Sequence, residues 1–128
     1  MVIDPSTLTR QEVYKLLIGS VVPRPIAWVS SLSVDGVRNL APFSFFTVVS
    51  TQPPMLSITL ERRLGNDDWK DTLRNAQGTG GFVVNVVSLP LAQAMTESSV
   101  EHPPEIDEFV VGPEVEVLRW VNHVLHAV

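Results

Sequence analysis

The run PRPIAWVSSLSVDGVRNLAPFSFFTVVSTQPP, residues 23–54, is closed at both ends by prolines and divided by an Asp35-Gly36 pair. Proline has no N–H to give a sheet ladder, so residues 21–25 form an extended lead-in and the first strand begins at Ile26. From there Ile26, Trp28, Ser30 and Leu32 share one face and Ala27, Val29 and Ser31 the other, both partly apolar. Asp-Gly supplies the positive-φ chemistry of a tight hairpin, and the chain returns through Val37, Asn39 and Leu40. Residues 43–50 read as a long third strand, Gln52-Pro53-Pro54 as a turn and residues 55–60 as a fourth strand. Four strands in succession predict a meander.

Helical signals flank this framework. Thr9 followed by Glu12 is a capping-box pattern, with Val13, Leu16 and Leu17 on one face, which predicts a helix over residues 10–17. A second helix starts within residues 67–71, turns Leu73 and Ala76 inward and ends in Gly78, Gly80 and Gly81. Residues 82–87 read as another apolar strand, and Ser88 with Pro90 opens a third helix through Leu91, Ala94 and Met95. Residues 100–107, interrupted by His102-Pro103-Pro104, read as a loop. Val117, Leu118, Val121, Val124, Leu125 and Val128 recur at helical spacing and predict a final amphipathic helix.

A chain of 128 residues fits one domain, residues 1–128, and 45% hydrophobic against 18% charged residues is a globular composition. The net charge of −5 argues against a nucleic-acid partner. With no cysteine, disulfides, thiolate metal sites and a Cys nucleophile are excluded. The first residues lack the basic and apolar regions of a leader, and no apolar run approaches a membrane span, so the expected setting is soluble and cytoplasmic, with no membrane partner.

The candidate chemistry lies after the fourth strand, where Arg62, Arg63, Lys70, Asp71 and Thr72 precede and open a helix. Free N–H groups and the macrodipole both favour an anion at a helix N-terminus, so this cluster is a candidate phosphate site. Glu61, Asp67, Asp68 and Asp71 dilute the positive field, and the alternative is a solvated loop. The run Ala41, Pro42, Phe43, Ser44, Phe45, Phe46, Thr47 mixes aromatics with small hydroxyl residues, as at the edge of a planar heteroaromatic ligand, although most of its aromatics belong to a core. Gly78-Thr79-Gly80-Gly81 precedes a strand instead of joining a strand to a helix, which excludes a Rossmann loop. No Walker, Gly-x-Ser-x-Gly or zinc-protease motif is present. His123 and His126 lack a third metal ligand, and His102 receives no role.

Four segments in register, LLIGSVVPRPIAWVSSLSVDGVRNLAPFSFFTVVSTQPPMLSITL, KDTLRN, GGFVVNVV and HPPEIDEF, resemble the flavin reductase-like family of FMN-binding split barrels, which includes flavoredoxin and the flavin reductase partners of two-component monooxygenases. The resemblance covers about residues 13–109 and implies a mainly β fold with a few helices, a Greek-key antiparallel split barrel. It also implies a homodimer with FMN near the subunit interface, and hydride transfer between NAD(P)H and flavin. By the same resemblance Ser30, Ser31, Asn39, Ala41, Pro42, Phe43, Ser44, Phe45, Phe46 and Thr47 border the isoalloxazine and ribityl chain. Arg62, Lys70 and Thr72 hold the phosphate, with Arg63 and Asp71 in the same cluster. Flavin N5 accepts the hydride, so no acid, base or nucleophile is required of the protein. The family continues beyond the Asp-Glu-Phe match in closing strands where residues 110–128 read here as a helix, so the barrel is expected to be incomplete or completed by a second chain. The functional expectation is an FMN-dependent oxidoreductase, either flavin reductase or flavoredoxin-like carrier. Its alternative is a truncated relative that keeps the fold and dimerises but binds flavin poorly.

Overall fold

The structure, a computed structural model, describes residues 2–63 and 68–112. The expected final helix, with His123 and His126, lies outside the described residues.

The Thr9 capping box forms as read: Thr9 Oγ1 accepts from the Glu12 N–H while the Glu12 carboxylate accepts from the Thr9 N–H at 2.8 Å, and α1 spans Arg10–Ser20. The lead-in carries a second device that the sequence did not disclose. Arg24 donates to the Ile18 and Val21 carbonyls at 2.8 and 2.7 Å, placing a cation on the C-terminal end of α1.

Strand β1 (Ala27–Leu32) pairs antiparallel with β2 (Arg38–Phe43), in the register Ala27 to Phe43, Val29 to Ala41 and Ser31 to Asn39. Gly36 takes φ 84° and its N–H bonds the Ser33 carbonyl at 3.0 Å, closing the expected turn. Pro42 is compatible with β2 because β2 is an edge strand among the described residues, and its missing N–H falls on the outward side with that of Leu40.

The sequence expectation of a four-strand meander is overturned at residues 44 and 45. The chain bends there, and β3 (Phe46–Thr51) leaves the first sheet to pair with β4 (Pro54–Ile58) in a separate two-stranded sheet. Ser44 and Phe45 are held at the bend by Arg24, whose Nε donates to Ser44 Oγ at 3.3 Å and whose guanidinium lies 5.7 Å from the Phe45 ring centroid. The third strand of the first sheet is β5 (Val83–Asn85), on the other side of β1 and shorter than the run 82–87 had suggested. Among the described residues the sheets do not close into a barrel.

One face of β1 and β2 carries the core. Ala27, Val29 and Phe43 are buried and pack against Ala41, Phe46, Ile58, Leu60, Phe82 and Val84, so the second sheet covers this face and β5 extends it. On the other face Trp28 is fully buried and its indole N–H donates to Ser98 Oγ at 2.8 Å. Ser98 closes the C-terminal end of α3 (Ala92–Glu97). Helix α2 (Asp71–Thr79) ends at Gly80, φ 77°, and packs on the Ser31 and Asn39 end of the sheet. A short helix not expected from the sequence, α4 (Glu108–Val111), sits against β2. No helix of the described residues is long and apolar enough to cross a membrane.

Candidate functional site

Strand β2, the N-terminus of α2, residues 98–102 and α4 converge on a cavity of about 60 Å³. That is room for a few waters or one tetrahedral anion, against the roughly 300–1,000 Å³ of a complete small-molecule pocket. Eight of the residues singled out by sequence line it: Asn39, Ala41, Pro42, Phe43, Arg63, Lys70, Asp71 and Thr72. Ser98, Ser99, Val100, Glu101, His102 and Glu108 complete the wall and were not singled out. HPPEIDEF carried the only sequence signal for His102 and Glu108; Glu101 had none.

The other candidates lie elsewhere. Ser30 and Ser31 are buried, and their hydroxyls accept from Asn85 Nδ2 of β5 and Asn75 Nδ2 of α2, each at 3.1 Å, tying β1 to its neighbouring strand and to the helix. Ser44 and Phe45 serve the bend. Phe46 packs on the core, and Thr47 is exposed. Arg62 lies 4.2 Å from the Trp69 ring centroid and does not line the cavity, so Arg63 supplies the guanidinium there instead.

The cations of the site meet carboxylates. Arg63 donates to Asp71 and, at 3.0 Å, to the His102 carbonyl. Lys70 Nζ lies 2.6 Å from Glu101 Oε1 in a pair about one-third exposed. The two pairs differ in consequence. The Lys70 pair is near solvent, contributes at most about 1 kcal/mol, and yields readily to a competing anion. The Arg63 and Asp71 side chains are only 14% and 11% exposed, so separating them strands a buried charge. Asp71 Oδ1, also buried, has no hydrogen-bond donor among the described residues. A site with a replaceable cation pair, a helix N-terminus and an unfilled carboxylate acceptor suits a ligand that carries both an anion and a hydroxyl donor.

Residues 107–109 fasten the wall to β2. Arg38 Nε donates to Asp107 Oδ2 at 2.7 Å, its guanidinium lies 5.2 Å from the Phe109 ring centroid, and Glu108 Oε2 accepts from the Leu40 N–H at 2.7 Å. Burial pushes the Glu108 carboxyl up from 4.5 to about 7; the Leu40 N–H opposes this, Asp71 reinforces it, and Arg63 and Lys70 draw it back. A carboxyl whose pKa is higher folded than unfolded holds its proton more tightly in the folded state, so its burial costs nothing below about pH 4.5 and its full penalty above about 7. Stability is therefore expected to fall as pH rises through that window. The expected loss is about 1–2 kcal/mol, reduced from the full shift because the group is partly solvated. Urea titrations at about pH 5 and pH 8 measure it, and Glu108→Gln should remove this component; an unchanged slope in the variant would assign it to another group.

A family profile described as "Flavin reductase like domain" matches residues 18–123. The chain belongs to the flavin reductase-like domain family. An uncharacterized protein of Aquifex aeolicus is 51% identical over 96 residues, covering 75% of this chain and 48% of that one. Among solved structures of similar proteins, nitrilotriacetate monooxygenase component B from Bacillus cereus superposes with a TM-score of 0.79 at 39% identity, over 87% of this chain and 54% of that one. Pseudomonas fluorescens 2-nitrobenzoate 2-nitroreductase NbaA gives 0.74 at 36% identity, over 87% and 51%. The chain thus spans about half the length of the curated relatives it matches. Within this flavin reductase-like region, the described cavity brings together strand β2 and the KDT segment, the two parts on which the sequence resemblance placed a ligand.

Proposed function

We propose that the cavity is the phosphate end of an FMN site in a flavin-dependent oxidoreductase that passes reducing equivalents between NAD(P)H and flavin, as flavin reductase or as electron carrier. The observation that carries the reading is the convergence, in a flavin reductase-like chain, of Lys70, Thr72 and the α2 N-terminus with the outer edge of β2. Lys70, with Arg63 behind it, would hold the phosphate once Glu101 gives way, and Thr72 would donate its hydroxyl. The unfilled Asp71 Oδ1 would accept from a hydroxyl of the ribityl chain. Asn39, Ala41 and Pro42 would border the path toward the ring. Bound FMN supplies the hydride-accepting N5, and the protein's share is binding, orientation and electrostatics.

The two sheets are, in this reading, parts of a Greek-key split barrel completed in a homodimer. The exposed side chains of Leu16, Leu17, Val48, Val49 and Val86 support such an association. A second reading, a relative that keeps the fold but binds flavin poorly, is favoured by the carboxylate partners of Arg63 and Lys70.

Visible absorbance after FMN addition and desalting separates the two, and light scattering on the same preparation tests the dimer that both share. A retained flavin band is expected, and Lys70→Ala should raise the FMN Kd by roughly tenfold to a hundredfold through loss of one charge-assisted hydrogen bond. Protein that is colourless after desalting from saturating FMN overturns the first reading in favour of the second.

A further inference from the structure

Asn39 stands between two oxygens of the cavity wall. In one orientation its Nδ2 donates to Thr72 Oγ1 at 2.9 Å, and its Oδ1 then faces Glu108 Oε2 across 3.2 Å. Two acceptors at that separation need a proton between them, and the Glu108 carboxyl is the group that supplies it. In the other orientation Nδ2 donates to an ionised Glu108 Oε2, while Oδ1 accepts from Thr72 Oγ1 at 2.9 Å and from the Leu40 N–H at 3.3 Å. The second arrangement pairs both ends of the amide with an ionised Glu108; the first sets Nδ2 3.3 Å from the Leu40 nitrogen and requires a protonated Glu108, and the two fix the Thr72 hydroxyl differently. When Thr72 accepts from Asn39, its own O–H remains available to the cavity. When Asn39 accepts from Thr72, that O–H is consumed.

We propose that Glu108, Asn39 and Thr72 form a proton-coupled relay, in which protonation of Glu108 turns the Asn39 amide and releases the Thr72 hydroxyl to donate to an anionic ligand. Asn39 and Thr72 are buried and bonded to each other at 2.9 Å, so the amide choice at Asn39 decides which of the two donates. Glu108 titrates near neutrality, which places both arrangements within the ordinary pH range. The groups that face it are Asp71 from α2, Arg63 and Lys70 before α2, and Glu101 and His102 from the adjoining loop, with the Asp107 and Arg38 pair beside it. Glu108 is a positioning residue here: it acts on the ligand through Asn39 and Thr72. As regulation of the site, the relay rests on the FMN reading; as a hydrogen-bond exchange it does not.

The decisive experiment is an NMR titration of the ligand-free protein, following the Glu108 carboxyl carbon and the Asn39 side-chain NH₂. Both are expected to move together with one midpoint near neutral pH. Glu108→Gln, whose side chain does not titrate and whose Oε1 accepts from the Leu40 N–H, should hold the Asn39 signal constant, whereas His102→Asn should leave the midpoint in place. An Asn39 signal that stays still while Glu108 titrates, or that follows His102, overturns the relay. A second arm compares FMN Kd at about pH 6 and pH 8 with Glu108→Gln as reference, which cancels the ionisation of the flavin phosphate itself. The wild type is expected to lose about threefold to tenfold more affinity than Glu108→Gln, and Thr72→Val should keep only the smaller part due to the Glu108 charge. Equal pH dependence in wild type and Thr72→Val overturns the role of the hydroxyl. If FMN does not bind at either pH, the flavin reading fails and the NMR titration alone decides the relay.

Discussion

Trp28→Ala is expected to remove about 3–5 kcal/mol of stability, enough to unfold most of the protein at ordinary temperature if its total is of the usual size. Trp28 is fully buried in the central strand of the three-stranded sheet, where neighbours on two sides leave little room to collapse into the vacated space. The truncation also removes the N–H that holds Ser98, and Ser98 begins the loop that forms one wall of the cavity. Trp28→Phe separates the two contributions: it keeps most of the apolar volume and leaves only the Ser98 hydroxyl without its donor, at about 1–2 kcal/mol. Urea unfolding followed by circular dichroism measures both. A Trp28→Ala protein within about 1 kcal/mol of wild type would mean that Trp28 is not packed as described.

Arg63→Ala is expected to cost about 3 kcal/mol or more. It leaves the buried Asp71 side chain with Arg74, 4.0 Å from Oδ1, as its remaining ion-pair partner among the described residues, and it deprives the His102 carbonyl of its donor. The instructive comparison is the double variant Arg63→Met/Asp71→Leu. Desolvating two ions offsets most of their attraction, so replacing both with apolar groups should bring stability back to within about 1 kcal/mol of wild type. A double variant as unstable as the single would show that the pair contributes through its own attraction and not through the charge left behind. The double variant should nevertheless bind anions poorly, because the guanidinium at the cavity is gone.

The sequence carried the local structure well. The Asp35-Gly36 turn and the capping box at Thr9 and Glu12 are short-range signals with direct chemical causes, and each appears at its place, whereas Ser88 and Pro90 open a 3-10 turn, Leu89–Leu91, and α3 itself begins at Ala92. Long-range pairing was not legible. Residues 43–50 are apolar on both faces, so nothing in their alternation marks the bend at Ser44 and Phe45, which depends on Arg24 some 20 residues away. The same ambiguity hid the inward turn of Ser30 and Ser31: a hydroxyl reads the same whether it meets a ligand or a buried Asn85 or Asn75. In the site, the basic cluster was legible because its members are adjacent in the chain. Glu101 and Glu108 were not, because acidic residues in a proline-broken loop carry no sign that the fold brings them against Lys70 and Leu40.

The carboxylate of Glu108 on the Leu40 N–H has a consequence for the protein in a crowded solution. An edge strand is a template for a strand of another molecule, which adds by exchanging main-chain hydrogen bonds. On β2 the outward positions are Arg38, Leu40, whose N–H is already taken, and Pro42, which has none to give. An intruding strand would find no donor at Leu40 or Pro42 and would meet the Glu108 side chain in its path. The contact that shapes the cavity therefore also guards the sheet against cross-molecular β-addition along that edge.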